Sequence, residues 1–294
     1  MNFKEELNAK VEAIEEVLKA YMPEEEGPQK LIMEAMNYSI MVGGKRLRPM
    51  LMQETYKLFG GEGDAIEPFM AAQEMIHTYS LVHDDLPAMD NDEYRRGKKT
   101  TWVAYGEDMA VLAGDGLLNF AFETALKAFG KTDAEKVAEC LKILSSKAGI
   151  YGMIGGQVVD VKSEEKAIDM ETLLFIHRNK TSALIQSSMM IGAVMAGASE
   201  EEIKKIEKIG EDIGLAFQIQ DDILDVVGNQ EILGKPIGSD AKNEKLTYVS
   251  LKGLDKAKED VAKISEEAIA AIKVFEKEEE FLSELTTYLI NREK

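Results

Sequence analysis

Two clusters of aspartates set inside apolar runs constrain this chain more than anything else in it. Residues 79–90 read Tyr79-Ser80-Leu81-Val82-His83-Asp84-Asp85-Leu86-Pro87-Ala88-Met89-Asp90, and residues 218–225 read Gln218-Ile219-Gln220-Asp221-Asp222-Ile223-Leu224-Asp225. In a chain whose formal charge is -19, an acidic cluster taken alone is a solvated face. Here Leu81, Val82, Leu86 and Met89 surround the first cluster, and Phe217, Ile219, Ile223 and Leu224 the second. Carboxylates are rarely placed in apolar surroundings unless something offsets their desolvation. Three acids of one sign ask for a cation, and two such clusters ask for a shared one.

The spacing has geometric content. On an α-helix Asp221 and Asp225 stack on one face, with Asp222 turned away by about 100°. Asp84 and Asp90 are about 240° apart on an ideal helix, so they can serve one ion only if the helix ends or distorts between them. Pro87 supplies a cause, since it lacks a backbone donor and clashes with the preceding turn. Oxygen-only donors without a nearby cysteine suit a hard ion, Mg2+ rather than Zn2+.

The remainder reads as helix. Leu7, Val11, Ile14, Leu18 and Tyr21 make an amphipathic stripe ended at Pro23. Further helices are expected over 29–41, 49–59, from about 64 into the first cluster, 108–128, 133–161, 170–196 and 200–227, and two more close the chain. The helix entering the first cluster is apolar nearly all round, which marks it as central. Gly149, Gly152, Gly155 and Gly156 inside 133–161 predict close packing or a kink. Segment 228–245, with Gly234, Pro236 and Gly238, reads as a functional loop. Strand signals are missing and no linker interrupts the pattern, so the expectation is a single all-α domain over 1–294.

The charge argues against nucleic acid and anionic membrane as partners. No apolar leader is evident at the start and no run approaches membrane-spanning length, so a cytoplasmic location without a membrane anchor is expected. The single cysteine, Cys140, fits a reducing compartment and reads as core. Basic residues gather in four places: Lys45, Arg46 and Arg48 after Gly43-Gly44; Arg95-Arg96; Arg178 with Lys180, beside His177 and Thr181; and Lys235 with Lys245. Taken singly, the first describes a glycine helix stop with solvated charges as well as it describes a phosphate cradle. His77 alone is an ordinary helix histidine. Acidic clusters for Mg2+ together with basic loops describe a diphosphate site. The spacing of a nucleotide-binding P-loop is absent.

The combination is similar to that of the trans-isoprenyl diphosphate synthases, and among them most to the bacterial farnesyl diphosphate synthases. The likeness runs over essentially the whole length. It is carried by 43–49, by 83–90 with Arg95-Arg96-Gly97, by Gly114-Asp115, by Gly155-Gly156-Gln157 with Asp160, by Lys180-Thr181, by 217–222 and by Gly234-Lys235. The resemblance implies a helical bundle around a central cavity, a homodimer, and aspartate motifs facing each other across the cavity mouth. It implies three Mg2+ held on an allylic diphosphate by Asp84, Asp85, Asp90 and Asp221, with Asp222 and Asp225. Arg95, Lys180 and Lys235 would bind that diphosphate, assisted by Lys245. Lys45, Arg48, His77 and Arg96 would hold isopentenyl diphosphate. Thr181 and Gln218 would turn oxygen dipoles on the developing carbocation.

The implied reaction condenses isopentenyl diphosphate with dimethylallyl and then geranyl diphosphate to give farnesyl diphosphate. Tyr79 lies about 7.5 Å before Asp84 along a helix and about 140° round from it. In the family an aromatic there goes with farnesyl products, whereas Ser80 is small and would leave room. Geranylgeranyl diphosphate synthase and a non-catalytic subunit of such a synthase are the alternatives. A terpene cyclase is disfavoured by Lys45, Arg48 and Arg96.

Overall fold

A computed structural model describes residues 2–164, 166–227, 246–275 and 281–290. The chain divides into two compact units, one holding residues 1–53 and 62–141, the other 54–61 and 142–294. Almost every described element is helical, as the sequence pattern requires.

In the first unit, α1 (Phe3–Tyr21) starts at a capping box. The Asn2 side chain accepts from the Glu5 amide at 2.9 Å, and Glu5 accepts from the Asn2 amide at 3.0 Å. Then come α2 (Lys30–Met41), α3 (Leu47–Leu58, whose last turn is counted with the second unit) and α4 (Glu67–Asp84). Twelve of the eighteen α4 residues are buried, so this is the central helix its all-round apolar character predicts. It packs on α6 (Glu107–Leu126), where Ala110, Ala113, Gly114 and Ala121 keep the surface low enough for close approach.

Between α4 and α6 lie a short helix, α5 (Thr101–Tyr105), and a two-strand hairpin of β1 (Tyr94–Arg95) and β2 (Lys98–Lys99). The absence of strands expected above is thus corrected by one small ribbon. Its two turn residues, Arg96 (φ 53°) and Gly97 (φ 75°), are both left-handed, which is what a tight two-residue hairpin needs. By length and composition alone α6 could cross a bilayer, contrary to the expectation that no run comes near that. Its contacts with α4 and α2 cover Ala110, Ala113, Leu117 and Ala121, while Val111, Leu112 and Leu126 stay exposed.

Then comes α7 (Ala134–Ala148), whose residues up to 141 are counted with the first unit, followed by α8 (Met153–Ser163) in the second, in place of the one helix expected over 133–161. The break falls at Gly149–Gly152, within the glycine run that pointed to a kink. Next, α9 (Met170–Ile176) and α10 (Ala183–Ala196) are joined by a π-helical turn, His177–Ser182, and α11 runs over Glu200–Val227. The chain closes with α12 (Tyr248–Lys252), α13 (Leu254–Lys273) and α14 (Phe281–Ile290). Leu215, Ala216, Ile219 and Ile223 of α11 join Leu173, Tyr248, Ala257 and Val261 in one apolar cluster, which fixes α11 against α9, α12 and α13. Cys140 is fully buried, and burial pushes its thiol up, so it is core as expected.

Candidate active site

The first acidic cluster closes α4. The helix ends at Asp84, three residues before Pro87, and the chain turns back so that the Asp90 amide donates to the Asp84 carbonyl at 2.8 Å. Asp90 is thereby returned to the helix end despite its unfavourable helical phase. Asp84 is half-buried, Asp90 exposed, and Asp85 only 3% exposed. Arg95, on β1, grips Asp85 from both prongs: Nε lies 2.8 and 3.0 Å from its two oxygens, and the terminal nitrogen 2.6 Å from one of them. Burial pushes the Asp85 carboxyl up, and the Arg95 contact works against that.

The basic residues of this unit form a second group. Gly43 and Gly44 are left-handed, Lys45 is exposed, and Arg48 is half-buried with its Nε shielded and without an acceptor among the described residues. Burial, opposed by Glu74 and reinforced by Arg96, brings Arg48 down to about 10. Arg96 donates to the Gly43 carbonyl. His77 is held well below its ordinary 6.5 by burial and by Arg48, Arg96, Arg95 and Arg46, so it is neutral at pH 7.

Tyr79 is 5% exposed, and its hydroxyl has no partner among the described residues. Burial and the charge of Asp84 push that hydroxyl up to about 12. Its ring meets His83 edge-on at 5.9 Å, and His83 in turn sits 3.1 Å from the Val111 carbonyl of α6, where Gly114 leaves space for it. Tyr79 thus packs beside His83, one turn further along α4. Ser80 spends its hydroxyl on the His77 carbonyl at 2.8 Å.

In the second unit a cleft of about 180 Å³ is lined by Asp160, Lys180, Thr181, Gln218, Asp222 and His177, among others. The π-helical turn delivers two of these. Lys180 reaches Asp160 of α8 at 2.6 Å, and Thr181 donates to the Gln218 side-chain oxygen at 2.9 Å. α8 can come this close because residue 156 is glycine: a Cβ there would lie 2.8 Å from the Asn179 carbonyl carbon. Asp222 is buried and accepts the Tyr248 amide at 2.7 Å, with His177 Nε2 at 3.9 Å. Burial, with Lys180 adding to it and Asp160 opposing, brings His177 down to about 4. Asp221 is half-buried and Asp225 buried. The expected functional loop 228–245, with Lys235 and Lys245, lies outside the described residues.

Among the described residues no three acidic, histidine or cysteine side chains gather closely enough to cage a metal by themselves. Asp84 of the first unit and Asp221 of the second, both half-buried, each offer hard oxygen donors of the kind Mg2+ takes alongside water and phosphate oxygens. Around the predicted site the structure adds Asp160 as the partner of Lys180, Arg46 with Glu74 beneath the 43–48 loop, and His177 beside Asp222. The sequence marks Asp160 after Gly155-Gly156-Gln157, Arg46 among its basic neighbours and His177 beside Arg178, but it gives no sign of Glu74 or of these pairings.

The fold and these two groups of residues define an all-α protein with acidic and basic residues suited to an isoprenoid diphosphate. Residues 29–288 match the model of the polyprenyl synthetase family, and the chain belongs to that family. It is 44% identical to farnesyl diphosphate synthase of Geobacillus stearothermophilus over 87% of this chain and 86% of that one. It is 40% identical to geranylgeranyl diphosphate synthase of Cyanophora paradoxa over 96% and 93% of the two. Among solved structures it is similar to geranyltransferase from Helicobacter pylori complexed with magnesium and isoprenyl diphosphate. That match has a TM-score of 0.84 and 32% identity, and covers 99% of this chain and 97% of that one.

Proposed function

We propose that this chain is a Mg2+-dependent farnesyl diphosphate synthase, joining isopentenyl diphosphate to dimethylallyl and then geranyl diphosphate. The observation carrying this reading is that two carboxylates hold cations they can share with a diphosphate: Asp85 of the first cluster with Arg95, and Asp160 of α8 with Lys180, beside the Thr181–Gln218 pair. Asp84, Asp90 and Asp221, with Asp85, Asp222 and Asp225, would be the ligands for three Mg2+. Once bound, Mg2+ neutralises charge accumulating on the leaving diphosphate.

Arg95 and Lys180 bind the allylic diphosphate oxygens, with Lys235 and Lys245 joining them. Their charges are fixed before reaction, which is the form electrostatic stabilisation takes in a preorganised site. Thr181 donates its hydroxyl hydrogen bond to Gln218, so its oxygen lone pairs are left for the allylic cation. Lys45, Arg48 and Arg96 hold isopentenyl diphosphate, and neutral His77 adds a hydrogen bond without further charge. No described side chain stands out as the final base, and the departed diphosphate takes the proton.

Farnesyl rather than geranylgeranyl product rests on Tyr79, a bulky and buried side chain where a longer product would need space; Ser80 is not the limit. The relatives are named for both products, which makes chain length the point to measure. The protein is proposed to work in the cytoplasm as a homodimer. Incubation of labelled isopentenyl diphosphate with dimethylallyl, geranyl and farnesyl primers, with and without a chelator, tests the reading. Farnesyl product from the first two primers, abolished by chelation, is expected. No condensation with any primer would overturn it.

A further inference from the structure

The loop 43–48 is built against its own preferences. Gly43 and Gly44 are left-handed, and so is Arg46, with φ of 48° and a full side chain. Non-glycine residues persist in that region only where the surroundings over-determine them. Here the surroundings are a buried ion-pair network. Arg46 is 2% exposed, and one terminal nitrogen reaches Glu74 Oε1 of α4 at 3.0 Å. The other reaches the Ile40 carbonyl at 2.8 Å and Glu15 of α1 at 3.3 Å. Glu74 is itself 2% exposed. From the outer side Arg96 donates to the Gly43 carbonyl and fills the space beside Gly44, where a Cβ would lie 2.7 Å from its guanidinium carbon.

We propose that Arg46 and Glu74 are positioning residues for the isopentenyl diphosphate subsite, an inference that rests on the function proposed above. Arg46 faces inward and is committed to three acceptors, so it is not itself a diphosphate ligand. Its commitment fixes the backbone from which Lys45 and Arg48 project. Glu74 has a second effect. It is the buried carboxylate beside arginines 46, 48 and 96, and it favours the charged form of Arg48, whose Nε is left for an anion. A diphosphate then meets cations already oriented and already charged, with no rearrangement to make on binding.

The test compares wild type with Glu74→Gln, which keeps an oxygen for Arg46 but removes the charge, and Arg46→Lys, which keeps a charge but reaches one acceptor instead of three. Binding of isopentenyl diphosphate alone is measured by calorimetry, and KM for each substrate by steady-state kinetics well below the melting temperature. Loss of a buried charge-assisted hydrogen bond predicts an isopentenyl diphosphate Kd and KM raised about tenfold or more. The allylic KM should stay within about twofold, the scale of a surface change. Should Glu74→Gln fail to fold, Arg46→Lys decides alone. Variants that melt earlier but keep both KM values, or that raise both equally, would show a merely structural pair and overturn the inference. No binding of isopentenyl diphosphate to wild type would instead overturn the proposed function.

Discussion

Replacing Gly156 by alanine is the sharpest probe of the second unit. The added Cβ would stand 2.8 Å from the carbonyl carbon of Asn179 and 2.9 Å from its Cβ, and closer still to the Lys180 amide. Carbon atoms rest at about 3.5–4.0 Å, so the backbones of α8 and the π-helical turn must part by about 0.7 Å or more. Two stretches of main chain cannot yield as the tip of a long side chain can. Overpacking of this kind costs about 1–3 kcal/mol. At roughly 2–4 °C per kcal/mol the melting temperature should fall by about 2–12 °C. The larger effect is on turnover, because the displaced turn carries Lys180 and Thr181, and a misplacement near 1 Å costs about 10²-fold. Gly130→Ala is the control. It is left-handed at φ 91° with open space around it, so it should lose about 1 kcal/mol of stability and no activity. Scanning calorimetry and labelled condensation assays read both variants. Folded Gly156→Ala protein turning over within threefold of wild type would refute the argument that this approach sets the site.

Asp84→Ala and Asp221→Ala should each lower kcat by on the order of 10²–10³-fold while leaving far-ultraviolet circular dichroism unchanged, and near-normal turnover in both would remove the acidic clusters from the chemistry. Tyr79→Ala should lengthen the product, read by chromatography of the dephosphorylated alcohols; unchanged farnesol would take Tyr79 out of the chain-length device. His77 has a depressed pKa in the folded protein, so below the ordinary value of 6.5 the unfolded chain binds more protons than the native one. Its stabilising contribution is therefore present above that pH and lost as pH falls. Urea unfolding between pH 5 and 8 should show a shallower acid-side decline for His77→Gln, and identical slopes would show His77 protonates freely in the native state.

Most helices were legible because period-3.6 burial is written directly into residues such as Leu7, Val11, Ile14 and Leu18. The termination of α4 before Pro87 was legible for the same local reason. The break between α7 and α8 was half-legible: four glycines announce trouble, but whether a helix bends or stops is decided by what packs on it. The hairpin was missed because Tyr94-Arg95 and Lys98-Lys99 have little β-character, and two residue pairs carry no alternation to read. That turn matters, since it sends Arg95 to Asp85 and its neighbour Arg96 to the Gly43 carbonyl. The Arg46–Glu74 pair was invisible for a different reason. An arginine among basic neighbours looks like one more ligand, and only tertiary contact shows that it points the other way.

The wide turn at 177–182 has a consequence of its own. A π-helical turn holds about one residue more than an α-helix uses for the same rise. Excising one codon there would let the chain run as ordinary α-helix from α9 straight into α10, with both flanks keeping the faces they bury and only the bulged residues displaced. Such a chain should keep its helices and lose turnover, because Lys180 and Thr181 would leave Asp160 and Gln218. Lys180 and Thr181 thus stand where they do because of a surplus, and the shortest in-frame deletion the gene can suffer at this point erases it.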